Sequence, residues 1–349
     1  MSKSSPIRVL VVDDSFFMRK LLTELISAAP DMEVIGEAKN GIEAVGYAAQ
    51  LHPDVITMDY NMPEMTGAEA VLQILALPLK KKPRIIMLSA YTTEGAKETF
   101  NSLRAGAVFT IQKSSGEISL DIKTIQEEIF SKIRQAYRAK VQVRPPLKEK
   151  TVSHKSPLLP AEHVVIIGSS TGGPPVVEDI LLALPQSIKA PIIIVQHMPA
   201  FFTKTFAQRL DRLVPFDVKE AYEGAVLHGG SVYIAPGGKH LRLGKKNGSS
   251  VCLLTDEDPV HGLKPSIDVT MQSAAPLFKE KIIGIELTGM GKDGQSGMKD
   301  IKKHGGLTLV QNPYSAVIAS MPQSVIDAGA ADEILSPKQI AEKITSICS

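Results

Sequence analysis

The sequence predicts an α/β protein built from two doubly wound parts, and two observations predict it. Short apolar strand-like runs alternate with helical patterns through residues 1–138 and again through 162–349, and parallel strands need helical crossovers of this kind. Residues 139–161 are basic, contain several prolines and show no apolar period, which is typical of an exposed linker. We therefore expect two domains, 1–138 and 162–349, joined by the linker 139–161.

The first part contains five strand-like runs, each followed by a helical pattern. The predicted strands are Arg8–Val12, Met32–Glu37, Val55–Met58, Arg84–Leu88 and Val108–Gln112. The predicted helices cover residues 16–29, 41–50, 67–76, 93–105 and 119–138. These repeats predict an N-terminal doubly wound (βα)5 domain with a parallel sheet.

The second part is less regular but of the same class. The predicted strands are Val164–Ile167, Ile192–Val195, Val232–Ala235, Val251–Leu254, Ile282–Leu287 and Leu307–Val310. From about residue 217 to 255, short strands alternate with glycine-rich turns, which predicts a short antiparallel excursion. The rest predicts a second doubly wound, mostly parallel α/β domain.

Composition narrows the classes of function. Residues 1–138 and 162–349 each carry a net charge of −1 and the linker carries +4, so neither domain has the bulk basic charge that nucleic-acid binding needs. The longest aliphatic runs, such as Ile192–Val195, are far too short to span a bilayer. Two cysteines form no disulfide framework and the first residues contain no signal-peptide core. We expect a cytoplasmic protein that is not inserted in a membrane and binds no nucleic acid.

Acidic residues follow two strands of the first domain. Asp13 and Asp14 follow the first strand and Asp59 follows the third, so the three carboxylates are expected at one sheet edge. Clustered carboxylates repel one another unless a hard cation such as Mg²⁺ lies between them. Ser89 and Lys113 end the next two strands on the same edge, which suits phosphoryl transfer onto a carboxylate. The alternative is that Asp13 and Asp14 only cap the following helix.

These positions resemble the signature of response-regulator receiver domains over residues 7 to about 130. The matching stretches are Val11-Val-Asp-Asp-Ser15, Thr57-Met-Asp-Tyr-Asn-Met-Pro-Glu-Met-Thr-Gly67, Ser89-Ala90 and Lys113. The resemblance implies that Asp59 accepts phosphate from a histidine kinase. It also implies that Ser89 and Lys113 contact the phosphoryl oxygens.

The same resemblance implies a metal site. Mg²⁺ would be held by Asp14, Asp59 and the Asn61 carbonyl, with Asp13 acting through water. Two residues depart from the receiver pattern: Ser114 follows the lysine where a proline is usual, and Thr110 stands where an aromatic residue is common. Neither departure affects the phosphorylation chemistry. Both lie on the path by which phosphorylation would rearrange the surface of the domain.

The second domain opens with a glycine-rich turn after its first strand, in the stretch His163-Val-Val-Ile-Ile-Gly-Ser-Ser-Thr-Gly-Gly-Pro174. Such a turn either cradles a phosphate or presents a serine nucleophile. A phosphate-binding loop needs a Gly-Lys-Ser/Thr ending, and a dinucleotide fingerprint needs G-x-G-x-x-G. The turn has neither, so the nucleophile reading is favoured, with Ser170 as the reactive residue and Ser169 as support.

A serine nucleophile needs a base and an acid on neighbouring strand ends. His197 follows the strand Ile192–Val195, and His240 is the second choice of base. Asp293 is the carboxylate in the turn Leu287-Thr-Gly-Met-Gly-Lys-Asp-Gly294. The alternative reading makes Ser170 and Asp293 helix N-caps and His197 a turn residue.

The wider sequence resembles the catalytic domain of chemotaxis protein-glutamate methylesterases. The matching stretches are Gly168-Ser-Ser-Thr-Gly-Gly173, Gln196-His-Met-Pro199, Tyr233-Ile-Ala-Pro-Gly237 with His240, Pro265-Ser-Ile-Asp268, Leu287-Thr-Gly-Met-Gly-Lys-Asp-Gly-Gln-Ser-Gly-Met298 and Met321-Pro322. The resemblance implies Ser170 as nucleophile, His197 as general base, Asp293 as orienting acid and the Met290 N–H in the oxyanion hole.

With the receiver in front, the resemblance implies a phosphorylation-activated esterase. Its substrate would be the methylated cytoplasmic domain of a chemoreceptor, with glutamine deamidation as a further reaction, and the esterase would need no cofactor. We expect a monomer. The rival hypothesis is a response regulator that acts without catalysis, through protein–protein or DNA binding; a nucleotide-binding output domain is a third.

Overall fold

A computed structural model describes residues 5–89, 93–112, 122–145, 147, 159–160 and 162–349. The chain divides into two compact units, Met1–Pro146 and Leu147–Ser349. In the described part of the predicted linker, the Arg144 N–H donates to Arg104 O over 3.1 Å, so residues 139–145 run against the first unit. The predicted linker boundaries themselves stay a prediction.

The first unit is a five-stranded parallel sheet with the strand order β2-β1-β3-β4-β5. Its strands are β1 (Ile7–Val12), β2 (Met32–Ala38), β3 (Val55–Asp59), β4 (Arg84–Ser89) and β5 (Phe109–Gln112). Its helices are α1 (Phe16–Ser27), α2 (Gly41–Leu51), α3 (Gly67–Ala76), α4 (Thr93–Ala105) and α5 (Ile122–Arg138). The predicted (βα)5 fold is confirmed.

The central strand β3 is buried and aligns the edge of the sheet. All five of its residues are buried, as expected when helices cover both faces of a parallel sheet. It is in register with β1, where Val12 pairs with Met58. This register places the residues that follow β1 and the end of β3 at the same edge.

The second unit is a seven-stranded sheet whose neighbouring strands are all parallel, in the order β16-β15-β14-β7-β8-β11-β9. Its main strands are β7 (Val164–Ser169), β8 (Ile192–Gln196), β9 (Asp217–Glu220), β11 (Ser231–Ile234), β14 (Ile282–Glu286), β15 (Leu307–Gln311) and β16 (Glu333–Leu335). Two small antiparallel pairs join β6 (Leu159–Pro160) to β10 (His228–Gly229), and β12 (His240–Lys246) to β13 (Ser249–Thr255). The helices are α6 (Gly173–Ala183), α7 (Ala200–Leu213), α8 (Ile267–Phe278), α9 (Gln295–Lys303), α10 (Ser320–Asp327) and α11 (Pro337–Cys348).

The antiparallel excursion is narrower than the sequence predicts. The hairpin β12–β13 is antiparallel, but β9 and β11 join the parallel sheet at its edge. The strand β9 reads Asp-Val-Lys-Glu, with only Val218 buried. An edge strand so polar carries no apolar run, so β9 is absent from the individual strands that the apolar pattern predicts.

The pairing of β7 with its two neighbouring strands determines where the candidate site of the second unit lies. Gly168 of β7 pairs with Glu286 of β14, and Ser169 pairs with Gln196 of β8. Three neighbouring strands therefore end at the same level of one sheet edge. The turns that follow them carry Ser170, His197 and Asp293.

Candidate functional site

Ser170 lies in the turn between β7 and α6, where two backbone hydrogen bonds hold it. Its N–H donates to Thr288 O over 3.0 Å, and its carbonyl accepts from the Gly173 N–H over 2.9 Å. The N-cap position of α6 belongs to Gly172, at a φ of 75°, with no side-chain cap. The alternative of Ser170 as a helix cap is therefore wrong.

Ser169 and Ser170 have different surroundings. Ser169 is fully buried and its hydroxyl donates to Gln196 Oε1 over 2.6 Å. Ser170 is half-buried, and among the described residues its hydroxyl makes no hydrogen bond. Of the two serines, Ser170 presents the hydroxyl that a substrate can reach.

Gln196 ties the serine turn to the histidine turn, a role that the sequence does not reveal. Its Nε2 donates to Ser170 O over 2.9 Å and to His197 O over 3.3 Å. A Cβ on Gly173 would lie 2.3 Å from Gln196 Oε1. Only glycine therefore fits at the start of α6, because the buried amide occupies that space.

His197 and Asp293 form a close pair. Their Nε2 and Oδ2 atoms are 2.7 Å apart, and both side chains are buried. The His197 N–H donates to Ser169 O over 3.1 Å, which fixes the histidine turn beside the serine turn. The other ring nitrogen, Nδ1, is buried and has no hydrogen-bond partner among the described residues.

Asp293 is held by the N-terminus of α8 as well as by His197. Its carboxylate accepts from Ser266 Oγ at 2.7 Å, from the Ile267 N–H at 2.7 Å and from the Asp268 N–H at 3.2 Å. Burial alone would raise the pKa of Asp293, but the hydrogen bonds from His197, Ile267 and Ser266 outweigh it and lower that pKa below its ordinary value. The side chain is thus an ionised carboxylate facing an imidazole.

The alternative of Asp293 as the N-cap of α9 is wrong. Gly294 occupies that position without a side-chain cap. The first amides of α9 are bound from the other side, because Asp268 Oδ1 accepts from the Gly294 N–H at 3.0 Å and from the Gly297 N–H at 2.7 Å. The hydrogen bonds of the Asp293 carboxylate are therefore with α8 and His197 and not with α9.

Glu286, at the end of β14, is a further carboxyl group behind this pair. It is fully buried, and both of its oxygens lack a hydrogen-bond partner among the described residues. Burial, and then the nearby negative charges of Asp293 and Asp268, raise the pKa of Glu286 well above its ordinary value. No sequence pattern predicts Glu286 as part of the site, since a glutamate at the end of an apolar strand gives no sign of what packs around it.

His240, the second choice of base, is a buried residue bound on both ring nitrogens. Its Nε2 lies 3.0 Å from Asp258 O, and the Ser266 N–H donates to its Nδ1 over 3.2 Å. Neither nitrogen is available to a serine hydroxyl. Only His197 of the two candidates contacts Asp293.

Met290 lies in a turn whose neighbouring amides are engaged. The Gly289 N–H donates to Ile318 O over 3.0 Å, and the Gly291 N–H donates to Ser320 Oγ over 3.2 Å. Within the described residues, the Met290 N–H has no acceptor, and its side chain is 45% exposed. A Cβ on Gly289 would lie 2.8 Å from Ser170 Cβ, so this turn passes directly against the serine.

The acidic residues of the first unit converge as the sequence predicts. One carboxylate oxygen each of Asp13, Asp14 and Asp59 lies within 4.8 Å of the others. Asp13 and Asp59 are buried and Asp14 is exposed. The N-cap of α1 is Ser15, whose hydroxyl accepts from the Met18 N–H over 3.4 Å, so the helix-cap alternative does not describe the two aspartates.

The other predicted residues of this edge are placed only in part. Asn61 follows Asp59 by two residues in the turn after β3, and Ser89 is the last residue of β4. The Ser89 side chain, Lys113 and Ser114 lie outside the described residues. Thr110 lies within β5, where it pairs with Met87.

Comparison with known proteins assigns both units. Residues 165–344 match the CheB methylesterase family and residues 9–124 match the response regulator receiver domain. A protein-glutamate methylesterase/protein-glutamine glutaminase of Thermotoga maritima is 45% identical over 98% of each chain. The protein of the same description from Pyrococcus abyssi is 41% identical over 97% of this chain and 92% of its own.

This chain belongs to the CheB methylesterase family. The crystal structure of the Thermotoga maritima CheB methylesterase catalytic domain has 43% sequence identity, covers 53% of this chain and 97% of its own, and superposes with a TM-score of 0.52. Two doubly wound domains, a receiver and a methylesterase, are thus confirmed. No helix in the described part of this CheB-family chain is long and apolar enough to cross a membrane.

Proposed function

We propose that this chain is a serine esterase that hydrolyses glutamyl methyl esters on chemoreceptors during chemotaxis adaptation, and that phosphorylation of its receiver domain activates it. The observation that carries the proposal is the hydrogen-bonded His197–Asp293 pair on strand ends adjacent to Ser170. Deamidation of receptor glutamines is the second reaction, as in the name that its relatives carry.

Ser170 is the proposed nucleophile. It is half-buried at the site, whereas the Ser169 hydroxyl is committed to Gln196. A serine hydroxyl attacks an ester only when a base takes its proton. Nδ1 of His197, which has no hydrogen-bond partner among the described residues, is the proposed base, since Nε2 is engaged by Asp293.

Asp293 is the proposed orienting acid. It holds one edge of the imidazole, so that the opposite nitrogen stays unprotonated and ready for the Ser170 proton. Its lowered pKa keeps it ionised, and its charge then stabilises the imidazolium that forms during the attack. The donors from α8 keep the carboxylate in place while this happens.

The Met290 N–H is the proposed donor to the oxyanion. When Ser170 Oγ attacks, the carbonyl oxygen becomes negative, and a fixed N–H stabilises it more than the neutral carbonyl. The support is that the amides on both sides of Met290 are engaged, whereas the Met290 N–H has no acceptor in the part of the chain that the structure describes.

The reaction then proceeds in two balanced steps. Ser170 Oγ forms an acyl bond to the glutamyl carbon while its proton passes to His197, and that proton leaves with the methoxide as methanol. Water next attacks the acyl-enzyme and gives one proton to His197, which passes it to Ser170 Oγ as the acyl bond breaks. The glutamic acid that is released loses its remaining proton to solvent and becomes the carboxylate. For a glutamine substrate, ammonia leaves in place of methanol.

In the receiver domain, Asp59 is the proposed phosphate acceptor from a chemotaxis histidine kinase. A hard cation with oxygen ligands fits the three converging carboxylates, because without one their charges repel. Asp13, Asp14, Asp59 and the Asn61 carbonyl are the residues proposed to hold Mg²⁺. When bound, the ion supplies positive charge to the phosphoryl oxygens.

Ser89 and Lys113 are proposed to contact those phosphoryl oxygens. We further propose that the unphosphorylated receiver restrains the esterase and that phosphorylation shifts the population toward an active arrangement. The support for this step is that both domain families occur in one chain with relatives of the same span.

The test is methanol release from a methylated chemoreceptor fragment by the full chain, with and without a small phosphodonor. We expect release that rises with the phosphodonor, is abolished in Ser170→Ala, and no longer responds in Asp59→Asn. Equal rates with and without the donor would remove the regulatory part. No methanol from the wild-type chain would favour the non-catalytic adaptor.

A further inference from the structure

His240 is joined to the proposed active site through a single residue. It begins β12, is fully buried, and its Nδ1 accepts a hydrogen bond from the Ser266 N–H over 3.2 Å. The hydroxyl of the same serine donates to Asp293 Oδ1 over 2.7 Å. His240 therefore contacts Ser266, Ser266 contacts Asp293, and Asp293 contacts His197.

The hydrogen bonds define the state of the His240 ring. A backbone N–H can only donate, so Nδ1 must be the unprotonated acceptor. Nε2 then carries the ring hydrogen and donates it to Asp258 O over 3.0 Å. With both ring nitrogens used, His240 is a neutral imidazole with one fixed tautomer.

Ser266 makes three hydrogen bonds that link α8, Asp293 and His240. It is the N-cap of α8, where its hydroxyl accepts from the Val269 N–H over 3.4 Å. The same hydroxyl donates to Asp293, and the backbone N–H of the serine binds His240. A shift of Ser266 would therefore move the donor away from the Asp293 carboxylate.

The strand that carries His240 is fastened to the helix that Ser266 starts. Thr270 Oγ1 donates to Leu241 O over 2.7 Å, and the Leu243 N–H donates to Ser273 Oγ over 2.9 Å. These two hydrogen bonds hold β12, which carries His240, against α8. The acceptor that faces Ser266 is fixed in space before any substrate arrives.

We propose that His240 is a positioning residue of the esterase, which places Ser266 so that its hydroxyl holds Asp293 against His197. The inference rests on the proposed function and deepens it. His240 does not touch the reacting atoms; it acts through Ser266. Because a displacement of about 1 Å at a catalytic group can cost ~10²-fold in rate, its loss lowers kcat rather than substrate binding.

The competing explanation is that His240 only anchors the segment around Asp258 through Nε2. Two amide variants separate these explanations, because each keeps one side of the imidazole. The Oδ1 of His240→Asn lies close to the position of Nδ1 and still accepts from Ser266. The Nε2 of His240→Gln lies close to the position of the ring Nε2 and still donates to Asp258.

The experiment measures kcat and KM for methanol release from a methylated receptor fragment in both variants of the full chain. We expect His240→Asn to stay within about 3-fold of wild-type kcat and His240→Gln to lose roughly 10- to 100-fold with KM little changed. Ser266→Ala combined with His240→Gln should cost no more than the worse single variant, because both act on the same link.

A second readout is independent of the esterase reaction. The proton in the His197–Asp293 hydrogen bond should give a downfield NMR resonance that His240→Asn keeps and His240→Gln shifts or loses. An unchanged resonance and kcat in His240→Gln, or equal losses in the two variants, would overturn the proposal. Absence of activity in wild type together with the expected NMR difference would instead overturn the proposed function alone.

Discussion

Asp293 and Asp268 each accept hydrogen bonds from backbone N–H groups at the start of the helix beside the other. Asp293 accepts hydrogen bonds from the N-terminus of α8, the helix that contains Asp268. Asp268 accepts from the Gly294 and Gly297 N–H groups at the start of α9, the helix that follows Asp293. Two buried carboxylates thus lie side by side, each compensated by the positive end of a helix. The arrangement fixes the turn of Asp293 from both directions.

The first prediction concerns Asp268. Replacing it with alanine leaves the Gly294 and Gly297 N–H groups buried without acceptors, which costs about 1–3 kcal/mol for each lost partner. Asp268→Asn keeps one oxygen as an acceptor and should cost much less. Hydrogen exchange of the full chain, followed in the peptide that covers α9, should accelerate strongly in Asp268→Ala and little in Asp268→Asn. Equal exchange in both variants would show that the Asp268 carboxylate does not hold the start of α9.

The sequence predicts the strand ends of this site and not the contacts between them. Apolar runs place Ser170, His197 and Asp293 after three strands, since β-branched segments bounded by turn residues are typical of buried strands. The hydrogen bonds from Ser266 to Asp293 and from Gln196 to Ser170 join residues 27 and 26 positions apart. Such contacts depend on how α8 and the neighbouring strands pack, which no local pattern records.

The sequence does not predict the strands β9 and β16, for a related reason. The strands β9 and β16 are short and partly exposed, with one buried residue in β9 and none in β16, and their pairing with β11 and β15 identifies them as strands. The glutamate at position 286 interrupts an apolar pattern without showing that Asp268 and Asp293 surround it. Tertiary packing determines these features, and the sequence alone cannot supply it.

The second prediction concerns the two serines of the nucleophile turn. Ser169→Ala removes the donor to Gln196 Oε1, a loss of about 1–3 kcal/mol in stability because that oxygen is buried. The variant should still release methanol, whereas Ser170→Ala should not. Parallel assays of the two variants on one methylated receptor fragment provide the measurement. An inactive Ser169→Ala with an active Ser170→Ala would move the nucleophile by one residue.

The third prediction concerns Gly289. A Cβ there would lie 2.1 Å from Met321 Sδ and 2.8 Å from Ser170 Cβ, closer than side chains can approach. Gly289→Ala should therefore displace the Ser170 or Met290 turn and lower kcat by about 10-fold or more. Gly46→Ala is the control, since a Cβ at that position meets nothing within 4 Å. A wild-type kcat in Gly289→Ala would contradict the prediction, because it would mean that the turn accommodates a Cβ without moving Ser170 or Met290.

The fourth prediction follows from the buried Glu286. Burial and the charges of Asp293 and Asp268 raise its folded pKa above the ordinary 4.5. The contribution of this group to stability is therefore fully present below about pH 4.5 and is lost as the pH rises toward the folded pKa. Glu286→Gln cannot ionise, so its stability relative to wild type should grow with pH between about 4.5 and the folded pKa of Glu286, by at most about 1.4 kcal/mol per pH unit.

Calorimetry of the full chain at a series of pH values tests this dependence through the unfolding temperature of the second unit. The difference between Glu286→Gln and wild type should be small near pH 4.5, widen as the pH rises toward the folded pKa of Glu286, and level off above that pKa. Glu280→Gln, which removes the same charge from an exposed position, should show no such widening. A difference that stays constant with pH would mean that Glu286 ionises as readily in the folded chain as in the unfolded one, and its burial between Gly168 and Gly294 would then have to be relieved by a rearrangement of β14.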